Sequence, residues 1–259
     1  MPYIIAALLL SVSLYILHKL RRVHLLLHDV RDRTSGDAAS LFRQLEALQG
    51  LYVELNLKKS LPPTRGWAAS PDFLLELARH VRSAQPRTAV ECSSGVSTLV
   101  LARCMQLNGA GKVISLEHDA YYAGETRALL RRHGLQDWAQ VLDAPLLPRD
   151  LAGESWPWYD LAGLKTELSI DLLVIDGPPQ ATRTLARYPA GPLLFPKLAP
   201  GAQVFLDDAA RADELEILRR WRSEFPALHQ STRACEKGCS VLMSPDSATT
   251  SSTILVSAA

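Results

Sequence analysis

The sequence predicts an α/β protein with a Rossmann-like sheet, preceded by one membrane-spanning helix. Short apolar runs alternate with helical patterns through most of the 259 residues, and several of these runs end in an acidic residue. The clearest unit lies between Arg87 and Ala102, where a strand, a turn of small residues and a helix start follow one another. An uncharged apolar stretch near the amino terminus predicts the membrane helix. In a sheet of this kind, ligands bind at the carboxyl ends of the strands.

The composition is that of one globular α/β domain with an appendage, because 47% of the residues are hydrophobic and 21% are charged. The net charge of +1 gives no reason to expect nucleic acid as a partner. The four cysteines have no metal-binding spacing. Cys235 and Cys239 flank a predicted hairpin turn, where they are free to bridge in an oxidising compartment or to stay reduced in the cytoplasm.

The chain begins with an uncharged apolar stretch, Tyr3 to Leu17, followed by a basic cluster of Lys19, Arg21 and Arg22. Such a stretch is shorter than the roughly 20 residues that span a bilayer, but the basic side chains can extend to the interface. We expect a membrane anchor rather than a buried helix or a signal peptide, whose basic residues precede the apolar core. The positive-inside rule then predicts a single-pass protein with a cytoplasmic carboxyl-terminal domain.

Breaks in the helical pattern define the domain organisation. The segment 31–36 (RDRTSG) interrupts the pattern, and Asp37 is expected to cap a new helix whose apolar positions run to Leu55. This helix is expected to pack on the following domain, although a contact between two copies stays open. We expect an anchor at 1–22, a linker with an accessory helix at 23–66, the main domain at 67–244 and a disordered tail at 245–259.

The central motif is the strand Thr88–Val90, which ends in Glu91 and leads through a loop of small residues into a helix. Gly95 is the only glycine in this loop, so the G-x-G-x-x-G motif of dinucleotide-binding proteins is absent. A carboxylate at Glu91 repels phosphate and favours a cationic ligand. S-adenosylmethionine (SAM), which carries an ammonium and a sulfonium, is such a ligand.

A second acid, Glu117, ends the strand Lys112–Leu116 and is placed to accept hydrogen bonds from ribose hydroxyls. His118 follows it, either near an adenine or facing solvent at a helix start. The alternative for both acids is that they cap helices or pair with arginines. Four more helices are predicted: one that begins at Pro71, one over Ser97–Leu107, one from His118 to about His133, and one over Ala212–Phe225. Further strands are predicted over Trp138–Leu142, Ile170–Ile175, Ala202–Leu206, Leu228–Ala234 and Ser240–Ser244.

Four segments carry a family resemblance: VECSSGVSTLVLA, VISLEHD, DLLVIDGPP and LAPGAQVFLDDAAR. Together they resemble class I SAM-dependent methyltransferases, and most closely the family-24 methyltransferase domains, which are related to the catechol and caffeoyl-CoA O-methyltransferases. The resemblance covers about Trp67 to Ser244. It implies a seven-stranded sheet with an antiparallel carboxyl-terminal hairpin, and SAM as cofactor. Ser93 stands where the family usually has glycine.

The resemblance also implies which residues hold the cofactor. Asp143 and Ala144 would lie beside the adenine, and Trp67 and Ser70 would lie close to the ligand, although Trp67 as a core anchor is an equal alternative. The expected cofactor-binding residues are Glu91, Ser93, Ser94, Gly95, Ser97, Thr98, Glu117, His118, Asp143, Ala144 and Asp176.

Three carboxylates end the fourth and fifth strands, namely Asp176, Asp207 and Asp208. Carboxylates suit a hard cation such as Mg²⁺, and in the catechol-type enzymes such a site orients the acceptor hydroxyl, with asparagine in the place of Asp208. Those enzymes carry a lysine base where this chain has Pro179, so the catalytic residues stay unassigned. The alternative is that Asp176 contacts the cofactor while the other two cap a helix.

Two further features stay open at this stage. The segment Leu146–Leu164 is expected to form a loop and a short helix. Its aromatic residues (WPWY) have three open roles: they determine substrate specificity, cover a sheet edge or contact the bilayer surface. Arg183, Arg187 and Tyr188 could bind an acidic substrate group or be solvated helix residues.

The sequence therefore predicts a membrane-anchored SAM-dependent methyltransferase that acts on an oxygen of an unidentified acceptor, with divalent metal as a candidate assistant. The alternative is a catalytically inactive methyltransferase fold that serves as a scaffold or assembly partner at the membrane. A nicotinamide-dependent oxidoreductase is disfavoured by the missing glycines. Self-association stays open.

Overall fold

The computed structural model describes residues 1–246, apart from the side chains of Arg33 and Ser35. Most of the predicted disordered tail, from residue 247 onward, lies outside the described residues. The chain divides into two compact units, Met1–Glu46 and a second that begins at Ala47. All strands lie in the second unit.

Six α-helices and nine β-strands are present among the described residues, with two short 3₁₀ turns at Gln180–Thr182 and Phe195–Lys197. The helices are α1 (Pro2–Glu54), α2 (Pro71–Ala84), α3 (Val96–Asn108), α4 (Ala120–His133), α5 (Ala190–Leu194) and α6 (Ala212–Glu224). The strands are β1 (Thr88–Cys92), β2 (Lys112–Glu117), β3 (Ala139–Asp143), β4 (Leu146–Leu151), β5 (Glu154–Tyr159), β6 (Ile170–Ile175), β7 (Leu198–Asp207), β8 (His229–Arg233) and β9 (Cys239–Met243).

Seven strands form the central sheet in the order β3-β2-β1-β6-β7-β9-β8. The first five are parallel, whereas β9 runs antiparallel to β7 and β8 antiparallel to β9. This topology confirms the predicted fold class. Because β1 is central, its carboxyl end lies between those of β2 and β6, where the parallel order places a ligand crevice.

The sheet is covered on both faces. In β6, Leu172 and Val174 belong to one apolar cluster and Leu173 and Ile175 to the other, because successive strand residues point to opposite faces. All four side chains are fully buried. A strand buried on both faces has polar side chains mainly at its end. The acids at the ends of these strands therefore indicate where the ligand crevice lies.

Helix α1 is continuous where a break was predicted. The segment 31–36 remains helical, and Asp37 lies within the helix instead of capping a new one. The segment contains no proline, and one glycine, Gly36, costs a helix only about 1 kcal/mol. By length and composition α1 could cross a membrane, since an 18-residue window has a mean hydropathy of 1.8 and is 0% buried.

The buried face at the end of α1 also differs from the predicted stripe. Ala47 and Leu51, with Leu55 just after the helix, enter the apolar core at a spacing of four. Leu41 and Leu45 are about half exposed. Within the second unit, the predicted accessory helix is the end of α1, and its last turns pack against the core.

A β-hairpin occupies the segment that was predicted to form a loop and a short helix. Strands β4 and β5 pair antiparallel around Ala152 and Gly153, which have φ values of 53° and 82°. Pro148 and Pro157 face each other in this two-stranded sheet, whose edges tolerate proline. Trp156 is buried in the core, which excludes the bilayer surface as its contact.

Candidate functional site

Glu91 fixes the loop that follows β1. Its side chain is fully buried, and Oε2 accepts hydrogen bonds from Thr98 Oγ1 and Ser115 Oγ, both at 2.6 Å. Thr98 Oγ1 in turn accepts a hydrogen bond from the Gly95 amide at 3.0 Å. One carboxylate thus connects the loop, the first turn of α3 and strand β2.

The second oxygen of the same carboxylate has no partner. Glu91 Oε1 is buried and makes no hydrogen bond within residues 1–246. Burial raises the pKa of Glu91, against hydrogen bonds from Ser115, Ser97 and Thr98 that lower it. The carboxylate therefore retains capacity for one donor that no described residue supplies.

The loop itself has an unusual backbone. Ser93 and Gly95 have φ values of 143° and 147°, a region that favours glycine. The buried Ser93 Oγ makes no hydrogen bond among the described residues. Ser93 therefore occupies a glycine-type position, as the family resemblance implies. After β6, a Cβ at position 177 would overlap the Tyr159 hydroxyl, so this position requires glycine for lack of space.

Glu117 is held at the end of β2 in an ionised state. Oε2 accepts from Ser94 Oγ at 2.8 Å and Oε1 from the Asp119 amide at 3.1 Å, while His118 Nδ1 lies 3.0 Å from Oε1. Burial alone would raise the pKa of Glu117, but these contacts outweigh it and lower the pKa. A carboxylate has about four lone-pair positions, so acceptor capacity remains for a ribose diol.

The residues expected beside an adenine lie at the end of β3. Ala144 is buried and its amide donates to the Glu117 main-chain oxygen at 2.7 Å. Asp143 is exposed and pairs with Arg127 at 2.8 Å. The Tyr159 ring lies 6.1 Å from the His118 ring. Asp143 is therefore engaged by Arg127, and an adenine amino group would have to share that carboxylate.

The predicted cofactor residues fall into two groups. One group is buried and supports the loop from within, whereas the other is accessible along the crevice at the ends of β1, β2 and β6. The unpartnered oxygen of Glu91 and the ionised carboxylate of Glu117 both belong to the buried group, and the loop of small residues belongs to the accessible one. This placement of acidic groups next to a small-residue loop is compatible with a sulfonium nucleoside. The buried residues are Glu91, Ser97, Thr98, Glu117 and Ala144, and the accessible ones are Ser93, Ser94, Gly95, His118, Asp143 and Asp176.

Three carboxylates meet beyond the ends of β6 and β7, as the sequence predicts. One oxygen from each of Asp176, Asp207 and Asp208 lies within 4.8 Å of the others. The guanidinium of Arg187 lies among them. Its Nη2 donates to Asp208 Oδ2 at 2.8 Å and to the Asp176 main-chain oxygen at 2.9 Å. Its Nη1 donates to the Asp207 main-chain oxygen at 2.8 Å.

Sequence reasoning missed the place of Arg187. The side chain is 4% exposed, which excludes a solvated helix position. Burial alone would lower its pKa, but Asp176, Asp208 and Glu214 raise it, so the guanidinium stays charged. No sequence signal distinguishes this arginine from its neighbour Arg183, because its burial depends on the packing of α6.

With Arg187 in place, the cluster does not fit the predicted divalent cation. An ion about 2.1 Å from the Asp208 oxygen that Arg187 contacts would lie within about 5 Å of Nη2. Arg187 and the ion would thus compete for the same Asp208 oxygen, Oδ2. Both oxygens of Asp207 lack hydrogen bonds among the described residues, yet burial and the charge of Asp208 raise the pKa of Asp207 to about 6.

A cavity of about 360 Å³ adjoins this cluster. Lys237, from the turn between β8 and β9, donates to the main-chain oxygens of Ala68 at 3.1 Å and Gly66 at 3.4 Å. Trp67 is 84% exposed, so it is not a core anchor. The lining residues are Gly66, Trp67, Asp176, Pro179, Gln180, Ala181, Arg187, Asp208, Arg211 and Lys237.

Residues 90–209, slightly less than half of the chain, match the family model Methyltransf_24, described as a methyltransferase domain. The match spans β1 to the end of β7 and includes Glu91, Glu117 and all three clustered aspartates. It confirms the family resemblance and the methyltransferase assignment. No curated protein matches the chain significantly.

Solved structures agree on the fold. A methyltransferase from Podospora anserina, PaMTH1 bound to S-adenosylhomocysteine (SAH), is 15% identical with a TM-score of 0.57, over 82% of this chain and 96% of that one. Cofactor-bound Rv0187 from MTB is 19% identical with a TM-score of 0.54, over 80% and 90%. At these identities the comparison establishes a shared fold.

The strained loop yields a test. Ser93→Gly should raise the free energy of unfolding by about 1 kcal/mol. A non-glycine residue at this positive φ is strained by about 1–3 kcal/mol, which glycine removes, and the greater flexibility of glycine in the unfolded chain costs about 0.5–1 kcal/mol of that gain. Ser94→Gly is the matched control. It has no positive φ to relieve and loses the hydrogen bond to Glu117, so stability should fall by about 1 kcal/mol.

The measurement is chemical denaturation of the full chain in detergent micelles, followed by tryptophan fluorescence. A Ser93→Gly variant no more stable than the parent chain would contradict the glycine-type backbone at this position.

Proposed function

We propose that this chain, a SAM-dependent methyltransferase by its family, transfers the methyl group to an oxygen of an acceptor bound in the 360 Å³ cavity beside Arg187. The observation that carries the proposal is the pairing of two carboxylates, Glu91 and Glu117, at the ends of adjacent parallel strands around a glycine-type loop. Related folds bound to SAH support the same assignment.

The donor side is formed by residues at the ends of β1, β2 and β3. Glu117 would accept hydrogen bonds from the ribose, and loop 93–95, which Glu91 fixes through Thr98, would lie against the methionine part. When bound, SAM would supply a sulfonium methyl group; the deprotonated acceptor oxygen would form the O–CH₃ bond in line as the S–CH₃ bond breaks, and SAH would leave as a neutral thioether. Catalysis of this displacement depends largely on the alignment of the two reactants.

The acceptor side begins at Asp176, which lies at the end of β6 and also lines the cavity. Lys237 is fixed by two main-chain oxygens and has no carboxylate within ion-pair distance in the described part of the chain. Of its three N–H donors, one remains for a ligand. The exposed Trp67 supplies an apolar surface beside it. The cavity therefore suits an acceptor that combines a flat apolar part with an oxygen bearing negative charge.

The membrane part of the proposal rests on α1. Its first turns expose apolar side chains, including Ile4, Leu8 and Leu14. The basic cluster after Leu17 orients the helix so that the catalytic domain lies in the cytoplasm. An acceptor dissolved in or attached to the membrane would then be within reach of a tethered enzyme.

Cofactor binding tests the donor site. Isothermal titration of the full chain with SAM should give one site, and Glu117→Gln should weaken it at least tenfold, because a charged hydrogen bond contributes about 1.5–3 kcal/mol. The matched control is Glu216→Gln on the exposed face of α6, where Glu216 pairs with Arg219. Its affinity should equal that of the parent chain.

The two outcomes separate the rival functions. A parent chain that binds no SAM would favour the inactive scaffold, whereas equal affinity in Glu117→Gln would contradict the ribose assignment alone.

Membrane anchoring has its own test. The full chain expressed in cells should stay in the membrane pellet after alkaline carbonate extraction. Leu9→Arg combined with Val12→Arg should release it, because each central arginine costs about 2.5–3.5 kcal/mol of insertion. Leu26→Arg combined with Val30→Arg, equally exposed on the same helix, should not. Recovery of the parent chain in the soluble fraction would contradict the anchor.

A further inference from the structure

We infer that Arg187 is a built-in cation that takes the place of a divalent metal, so that the acceptor site works without one. The inference rests on the proposed function only in treating the cavity as the acceptor site. Two of the three carboxylates that would ligate a metal, Asp176 and Asp208, already contact one buried guanidinium, and Asp207 accepts from it through its main-chain oxygen.

Each side of the guanidinium faces an acceptor. Nη2 lies 2.8 Å from Asp208 Oδ2 and 3.3 Å from Asp176 Oδ1, so one nitrogen bridges the ends of β6 and β7. Nη1 donates to the Asp207 main-chain oxygen at 2.8 Å. Nε lies 3.7 Å from Glu214 Oε1 on α6. A planar fork of this kind matches several oxygens at once, as a point charge does not.

The position of Arg187 is determined by the fold. The preceding turn is held where the Leu185 amide donates to Asp213 Oδ2 at 3.0 Å. The following residue, Tyr188, accepts from Trp221 Nε1 at 3.0 Å and donates through its hydroxyl to Glu224 at 2.9 Å. Three hydrogen bonds to α6 from the residues on either side of Arg187 thus fix its backbone, so the arginine is held in place by the fold.

The same guanidinium also explains why the acids tolerate burial. Asp176, Asp208 and Glu214 are nearly buried, with side-chain exposures of 11%, 4% and 3%. Buried charges require paired, hydrogen-bonded partners. Asp208 has a second partner in Arg211 at 2.8 Å. A divalent ion that took Asp208 Oδ2 or Asp176 Oδ1 as a ligand would compete with these cations, and each pair that it broke would leave the buried arginine with one charged partner fewer.

In this site the cavity retains cationic donors without a metal. Arg187 Nη1 has one N–H beyond its bond to Asp207, and Lys237 has one beyond its two main-chain contacts. These two donors would hold the acceptor oxygen in its deprotonated, negatively charged form, and stabilising that form is what a metal does in metal-dependent enzymes.

Manganese binding tests the inference without SAM or acceptor. Mn²⁺ is titrated into the full chain in micelles, and free ion is measured by electron paramagnetic resonance. The parent chain should bind no more Mn²⁺ than Asp207→Asn. Arg187→Met should bind one additional equivalent, which the further substitution Asp207→Asn removes. Arg187→Lys, which keeps the charge, should bind at least tenfold more weakly than Arg187→Met.

Two results would overturn the inference: one Mn²⁺ bound by the parent chain and lost in Asp207→Asn, or a folded Arg187→Met chain that binds no additional ion. Circular dichroism establishes folding, and Arg187→Gln is the substitute if Arg187→Met does not fold. If neither variant folds, the comparison of the parent chain with Asp207→Asn decides alone. Because SAM is absent, these results are independent of the calorimetric test of the proposed function.

Discussion

One buried arginine lies among the carboxylates on which this site is built and pairs with two of them. Parallel strands concentrate polar side chains at their carboxyl ends, and here β6 and β7 bring Asp176, Asp207 and Asp208 together under nearly complete burial. Such a group is unstable without a counter-charge. Arg187 supplies that charge from the segment between β6 and α5 and ties it to α6. The cavity, its cationic rim and the assignment of a metal-free acceptor site all depend on this side chain.

The donor side follows a different rule, because its acids are held by small polar side chains instead of a cation. Thr98 and Ser115 donate to Glu91, and Ser94 donates to Glu117. Hydroxyl groups can hold a carboxylate without neutralising it, and the lowered pKa of Glu117 leaves its negative charge available to a sulfonium ligand. Asp176 joins the two regions. Transfer between them requires the donor methyl group and the acceptor oxygen to meet close to this residue.

Much of the central sheet could be predicted from the sequence, because buried parallel strands leave uninterrupted apolar runs that end in acids. Strand ends at Glu117 and Asp207 agree with the predicted runs. The β4–β5 hairpin could not be predicted, because its two prolines interrupt the alternation of apolar and polar residues that indicates a strand. Its stability comes from Trp156 and Trp158, which pack in the core. The role of Arg187 also has no local signal, because contacts from distant α6 create it. The continuous α1 shows that polar composition alone does not end a helix.

The most direct test is a crystal structure of the full chain grown with SAH and Mn²⁺, with anomalous data collected at the manganese edge. The account predicts ribose hydroxyls on the Glu117 carboxylate, the Arg187 guanidinium still between Asp176 and Asp208, and no anomalous peak among the three aspartates. A manganese peak at that position with Arg187 displaced, or a nucleoside bound away from Glu117, would contradict it.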